Sequence, residues 1–278
     1  MNRRVVRVAA VVCAAGHGTL DGGNSPKLTA KIDGKPLIVH VVNKLLRLKR
    51  TGTITDICIV INPDHAAIMQ RALMSALGKG EYKSLKFATQ HWRRGAADAV
   101  ACAMDKLNTH TKHVLVTFGD MVLWEEETIR KLIAQYLSAR TRPKHAFSMV
   151  TLNLPSDEAL KYGWVVRHNG RVSGIIETND QRTIPVRSDE MIEINPSLYI
   201  FSKKFLWDYM RRIPPQWRDD DYPDEFHLPH FASIAYQNGL IVDTLTLPAE
   251  EKEQTLGVNT REQLAEVEYV LSRRRNAD

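Results

Sequence analysis

Cysteine is scarce in this 278-residue chain. Cys13, Cys58 and Cys102 each sit inside an apolar segment and no C-x-x-C pair occurs, which excludes a disulfide framework and fits buried thiols in a reducing cytoplasm. Long hydrophobic runs are missing too: none approaches the ~18 residues of a membrane span. The opening MNRRVVRVAAVVCAAG lacks the apolar length and cleavage pattern of a secretory signal, so a soluble cytoplasmic protein without a membrane partner is expected. Aromatic residues make up 7% of the chain and do not interleave with a basic stripe, so nucleic acid is not an expected partner. The charge surplus is modest, 38 Lys plus Arg against 32 Asp plus Glu, and its terminal clusters MNRRVVR and SRRRNAD read as solvated faces or tails. There are no internal repeats. A hydrophobic content of 44% is ample for a sizeable core.

The first 150 residues alternate apolar β-rich runs with helical patterns. RVAAVVCAA, DICIVINP, LKFATQ and HVLVTFGD read as buried strands. PLIVHVVNKLLRL, DHAAIMQRALMSAL (with Asp64 as N-cap), GAADAVACAMDKL and EEETIRKLIAQYLSAR read as the helices between them. That alternation predicts an α/β fold: a Rossmann-like open, mixed, mainly parallel sheet flanked by helices. After AFSMVTLNL the texture changes. YGWVVRHNGRVSGIIE reads as an inserted β-hairpin turning at Asn169-Gly170, EINPSLYIFS as one strand, and HLPHFASIAYQNG as a helix closed by Gly239. RRIPPQWRDDDYPDEF reads as a surface loop, LIVDTLTLP as a late strand, and TREQLAEVEYVLSRRR as a final helix capped by Thr260. A single domain is expected, with a nucleotide-handling half over 1–150, a second half over 151–258 and a terminal helix over 259–278.

The first strand runs into AAGHGTLDGGNSPK, a glycine-rich turn whose free backbone N–H groups suit an anion. The dinucleotide fingerprint fails because Asp21 stands where its third glycine belongs, and the P-loop fails because Asn24 and Ser25 replace its lysine and hydroxyl. What remains is a long loop ending in Pro26-Lys27, with Lys27 placed to meet phosphate or merely exposed.

A-A-G-x-G-T, then P-K, then G-K-P-L resembles the signature of the sugar-phosphate nucleotidylyltransferases, most of all their N-acetylglucosamine-1-phosphate uridylyltransferase branch. The resemblance continues in order through ATQHWRRGAADAV (Q-x-x-x-x-G-T-x-x-A), VLVTFGDMVL (G-D-x-P-L), YGWVVRHNGRVSGIIETND, EINPSLYIF (E-x-N-T-G-I-Y), HLPHFASIAYQNG and LGVNTREQLAEVE, spanning 13 to 268. It implies transfer of a nucleotidyl group from an NTP, most simply UTP, to a sugar-1-phosphate with release of pyrophosphate. It also implies Mg²⁺ held by Asp120 and Asn259, and Lys27 with Asp120 as the catalytic pair. Nucleotide contacts would fall to Ala14, Ala15, Gly16, Gly18, Thr19, Lys27, Gln90, Gly95, Ala96 and Gly119, and sugar contacts to Gly163, Glu177 and Asn195. Two polyanions must meet, so positioning and charge neutralisation dominate such catalysis. The hexapeptide-repeat β-helix that carries acetyltransfer in the bifunctional relatives is not expected here, and a monomer or small homo-oligomer is.

Four departures from the family pattern stand out. Leu20 replaces an arginine expected on the triphosphate, beside Asp21; Ala96 replaces a base-side threonine; Val122 replaces the proline of G-D-x-P-L; and Asn195-Pro196-Ser197 replaces N-T-G. Losing one charge-assisted hydrogen bond, about 1.5–3 kcal/mol, slows a reaction roughly 10- to 100-fold. Arg93 or Arg94, beside the base-side turn, is the candidate for the missing positive charge, against a plain surface position for either. Two alternatives stay open: a non-catalytic or weakly active nucleotide-sugar binding protein of the same fold, and a transferase with a non-sugar acceptor, such as a cytidylyltransferase.

Overall fold

The computed structural model describes residues 7–20, 22, 25–92, 94–142, 144–178, 187, 189–210 and 226–277. Asp21, Arg93 and nearly all of the loop read at 211–226 lie outside the described residues. In chain order come β1 (Val8–Ala14), a 3-10 turn (Lys27–Thr29), the short ribbon β2 (Lys31–Ile32) and β3 (Lys35–Pro36), α1 (Leu37–Arg50), β4 (Asp56–Ile61), α2 (Ala66–Ala76), α3 (Lys79–Lys83), β5 (Lys86–Thr89), α4 (Gly95–Met104), β6 (His113–Phe118) and α5 (Glu126–Ala139). Then follow β7 (His145–Pro155), α6 (Ser156–Ala159), β8 (Gly163–His168), β9 (Arg171–Ile176), β10 (Met191–Asn195), β11 (Tyr199–Ser202), α7 (Lys203–Tyr209), α8 (His230–Gln237), β12 (Ile241–Leu247) and α9 (Arg261–Ala277). The expected α/β class and its mixed sheet are both present.

Two compact units result: residues 1–94, 98–126 and 253–278 in the first, 95–97 and 127–252 in the second. The sequence reading drew its internal lines at 150 and 258. The units divide at 126 and 252, because β7 is the hub strand of the second unit and carries residues 145–150 with it.

The first unit holds four parallel strands in the order β5-β4-β1-β6. Their sequences are almost wholly apolar because central parallel strands have no solvent face: Val11 lies opposite both Cys58 and Val116, and all three strands at that level are buried. α1 begins after Pro36, which pre-sets φ, and buries Leu37, Val41, Leu45 and Leu48. At α2 the expected Asp64 cap is corrected. Asn62 caps a preceding 3-10 turn by accepting from His65 N at 3.0 Å, one residue before the proline that can only sit at a helix start.

In the second unit β7 pairs parallel with β12 and antiparallel with β10 and β11, while β8 pairs with both β10 and β9. The β8–β9 hairpin turns at Asn169 (φ 49°) and Gly170 (φ 75°), the left-handed pair a two-residue turn requires. EINPSLYIFS is not one strand. Pro196 has no N–H for the ladder and Ser197 adopts φ 65°, so the run breaks into β10 and β11.

The basic run at 273–275 is no free tail. Arg273 pairs with Glu253 at 2.5 Å, Arg274 with Glu125 at 3.3 Å and Arg275 with Asp33 at 2.6 Å, all within the first unit.

Candidate active site

The glycine loop at the end of β1 is closed by its own backbone. Lys27 N donates to Gly18 O at 2.8 Å, and a Cβ on Gly18 would lie 3.9 Å from Lys27 Cε, so the loop's two ends touch and the lysine stem runs along the glycine. Ala15 O accepts from Asn62 Nδ2 at 3.3 Å, which pins the loop's start. His17 stands 3.5 Å from Asp64 and 5.4 Å, ring to ring, from His65. Gly16 has nothing within 4 Å of its missing Cβ, and Leu20 is a half-buried bend beyond Thr19.

Lys27 reaches the far side of the same unit. Its Nζ donates to Asp120 Oδ2 at 2.7 Å and to Asn259 Oδ1 at 2.6 Å. The side chains of Lys27 and Asp120 are 14% and 20% exposed, so water screens this pair only partly. Asp120 follows the carboxyl end of β6, where parallel sheets present their ligand groups. Asn259 precedes α9. There Thr260 caps the helix by accepting from Gln263 N at 3.2 Å, while Gln263 Oε1 accepts from Asn259 N at 2.6 Å and Thr260 N at 3.1 Å: a capping box that fixes the asparagine's backbone. Three residues separated by up to 232 positions thus meet on one ammonium group.

That donor set fits a hard divalent cation. Two oxygens, one carboxylate and one neutral amide, already face a single positive charge. Among the described residues no group of three or more His, Cys, Asp or Glu is clustered for a metal; a cation here would have these two protein oxygens and take its other ligands from water or phosphate, as Mg²⁺ commonly does. Cys13, near Asp120, is no rival ligand, since burial and then the Asp120 charge push its thiol up to about 12.

The other expected nucleotide residues divide by what their neighbours do. Gln90 is 8% exposed; its N donates to Ile61 O at 2.9 Å and its Nε2 to Asp98 Oδ2 at 2.9 Å, so a carboxylate orients its amide. Ala14 is buried in β1, and Ala96 lies half-buried in the first turn of α4. Gly95 takes φ 78°, and a Cβ there would stand 2.5 Å from Phe226 O, so local backbone already demands glycine. Gly119 donates its N–H to Cys13 O at 3.0 Å, and its missing Cβ would stand 2.7 Å from Leu28 Cδ1 and 3.2 Å from Ile38 Cδ1.

In the second unit Gly163, Glu177 and Asn195 also meet. Asn195 is the register partner of Gly163, and a Cβ on Gly163 would lie 3.6 Å from Glu177 Oε1. Asn195 is buried; its Nδ2 donates to Tyr199 Oη at 2.6 Å and its Oδ1 accepts from Ser197 N at 3.3 Å. Among the described residues these two bonds use one N–H and one lone pair of that amide. Ser197 holds the left-handed conformation that a glycine would take in N-T-G.

Sequence reasoning placed Gln263 in the cap of the last helix and missed Asp98, Lys44 and Arg274. Lys44 left a signal: it lies seven residues after Leu37 and four before Leu48, on the apolar stripe of α1, where a charge needs a reason. Its Nζ donates to Val122 O at 3.0 Å and also to Trp124 O. Burial, then Arg47 and Arg274, lower its pKa to about 7, against the pull of Glu126 and Glu125.

With this geometry in place the comparisons are direct. The chain belongs to the MobA-like NTP transferase domain family, whose model matches residues 10–169. Among curated proteins it is 29% identical over 263 residues to "Bifunctional protein GlmU" of Lawsonia intracellularis, covering 94% of this chain and 52% of that one. It is 30% identical over 270 residues to the protein of the same name from Exiguobacterium sibiricum, covering 96% and 54%. The chain therefore spans about half the length of the curated relatives it matches. A putative glucose-1-phosphate thymidylyltransferase structure from Bacillus anthracis shares the fold at a TM-score of 0.65 and 17% identity, covering 95% of this chain and 94% of that one. No described helix is long and apolar enough to cross a membrane.

Proposed function

We propose that this chain joins UTP to N-acetylglucosamine-1-phosphate or a related hexose-1-phosphate, giving a UDP-sugar and pyrophosphate. The observation that carries the reading is the convergence of Lys27, Asp120 and Asn259 on one ammonium group. The similarity to proteins named GlmU over nearly the whole of this chain supports the choice of UTP and an amino sugar. In the reaction an oxygen of the sugar phosphate bonds to the α-phosphorus of UTP, and the bond from that phosphorus to the bridging oxygen breaks, releasing pyrophosphate.

Each residue then has one task. Asp120 and Asn259 would hold Mg²⁺, which when bound neutralises phosphate oxygens that otherwise repel one another. Lys27, displaced from those two oxygens, turns its ammonium to phosphate as a point charge. The loop from Ala14 to Thr19 offers backbone N–H groups to the triphosphate, and Gln90, oriented by Asp98, meets the base edge. In the second unit Glu177 and Asn195 accept from and donate to sugar hydroxyls, beside Gly163, where a Cβ would stand 2.9 Å from Ile175 Cγ2 and 3.6 Å from Glu177 Oε1.

Incubation with each of four NTPs, Mg²⁺ and a panel of sugar-1-phosphates, read as pyrophosphate release, tests the reading. UTP with an N-acetylhexosamine-1-phosphate gives the highest rate and Asp120→Asn abolishes it. Release that is no faster than in Asp120→Asn for every pair contradicts it. A preference for CTP would favour a cytidylyltransferase instead.

A further inference from the structure

The segment that follows Asp120, residues 121–125, carries the peptide carbonyls of Val122, Leu123 and Trp124 into the core, since all three side chains are at most 1% exposed. Buried carbonyls need donors. Here the donors are side chains: Lys44 Nζ serves Val122 O at 3.0 Å and Trp124 O, and Arg274 Nη1 serves Leu123 O at 3.1 Å. The same segment is held at its far end by Glu125, whose N donates to Gln254 Oε1 at 3.0 Å and whose carboxylate pairs with Arg274 at 3.3 Å. Position 122 is valine, so no proline ring fixes the backbone of this segment.

The two cations come from the elements that carry the other site residues. Lys44 is on α1, which packs on the 3-10 turn that begins with Lys27. Arg274 is on α9, whose first cap fixes Asn259, and the loop just before α9 closes on the same segment through Val258 N, which donates to Asp120 O at 3.4 Å. α9 and the loop that leads into it therefore hold the Asp120 segment at two points, Arg274 on Leu123 and Val258 on Asp120.

We propose that Lys44 and Arg274 are positioning residues: together they clamp the carbonyls of residues 122–124 and so set the Asp120 carboxylate against Asn259 for the divalent cation. This rests on the metal reading of Asp120 and Asn259 given above. An amine in either protonation state has enough N–H groups for two carbonyls, so the clamp does not depend on the charge of Lys44.

The test reads metal binding apart from turnover. Mn²⁺ is titrated into wild type, Lys44→Met, Arg274→Met and Lys44→Arg, with UTP and without sugar phosphate, and free Mn²⁺ is followed by electron paramagnetic resonance. Circular dichroism and melting temperature are recorded for each. The clamp raises the Mn²⁺ dissociation constant at least fivefold in Lys44→Met and Arg274→Met, while Lys44→Arg stays within twofold of wild type. Unchanged Mn²⁺ affinity in folded Arg274→Met, the milder change because it frees one carbonyl, overturns the proposal even where Lys44→Met does not fold. Failure of the function itself is distinguishable: a wild type that binds Mn²⁺ through the clamp yet transfers no nucleotidyl group contradicts the proposed reaction and leaves the clamp standing, and a wild type that binds no Mn²⁺ contradicts both.

Discussion

Gly119, expected to approach a nucleotide, is also required by packing, and that can be measured. In Gly119→Ala the new methyl meets Leu28 Cδ1 at 2.7 Å and Ile38 Cδ1 at 3.2 Å, and both neighbours are buried. Overpacking of this kind costs about 1–3 kcal/mol, and the lost backbone freedom of the unfolded chain returns about 0.4–1. The expected net loss is about 1–2 kcal/mol, or roughly 2–8 °C in Tm for a chain of this size. Leu28 follows Lys27 in the same 3-10 turn, so the methyl pushes against the lysine's anchor. The decisive comparison is a cycle in urea unfolding: in a Leu28→Ala background both Leu28 Cδ atoms are gone, only the 3.2 Å approach to Ile38 Cδ1 remains, and Gly119→Ala should cost much less. A coupling energy of about 1–2 kcal/mol is therefore expected. Equal destabilisation in both backgrounds, or none in the wild-type background, refutes the packing argument.

Three further outcomes follow from individual groups. The native amine of Lys44 releases its proton near 7 and the unfolded one near 10.5, so the unfolded chain holds an extra proton between those values. The stability of wild type relative to Lys44→Met, with Arg47, Arg274, Glu125 and Glu126 unchanged around the site, should rise as pH climbs from about 7 to about 10; a flat difference in urea unfolding contradicts this. Cys13 and Cys58 are held at about 12 by burial, and Cys102 is also raised, so a disulfide reagent at pH 8 should label native protein slowly and all three thiols promptly in urea. Rapid native labelling of Cys13 or Cys58 would show those thiols open. Ser197→Gly should leave stability unchanged or raise it by up to about 1 kcal/mol, whereas Ser197→Val, β-branched at φ 65°, should lose about 2 kcal/mol; matching effects would remove the left-handed argument.

The parallel strands were legible because continuous apolar runs such as VAAVVCA and DICIVI have no other good use, and the hairpin because Asn-Gly sits between two β-branched runs. The break at Pro196-Ser197 was partly legible, since proline loses a ladder bond, but the left-handed serine follows from a side-chain turn that composition does not announce. Asn62 displaced Asp64 as the cap because Pro63 fixes where a helical turn begins, a two-residue shift between two good capping types. Lys27 was offered by the glycine-rich loop, and the roles of Asp120 and Asn259 came from resemblance; the meeting of all three on one ammonium group is a tertiary fact. The carbonyl clamp by Lys44 and Arg274 was invisible for the same reason, as it joins side chains to backbone across up to 151 residues.

The most direct measurement is ³¹P NMR of one mixture, UTP, N-acetylglucosamine-1-phosphate and Mg²⁺, with wild type and with Lys27→Met. The account expects a pair of coupled diphosphate resonances from a UDP-sugar together with pyrophosphate, and about 100-fold slower appearance of both in Lys27→Met. No diphosphate product from wild type, or an equal rate after Lys27 is removed, contradicts the claim that Lys27, Asp120 and Asn259 form the phosphate-handling centre of a nucleotidyltransferase.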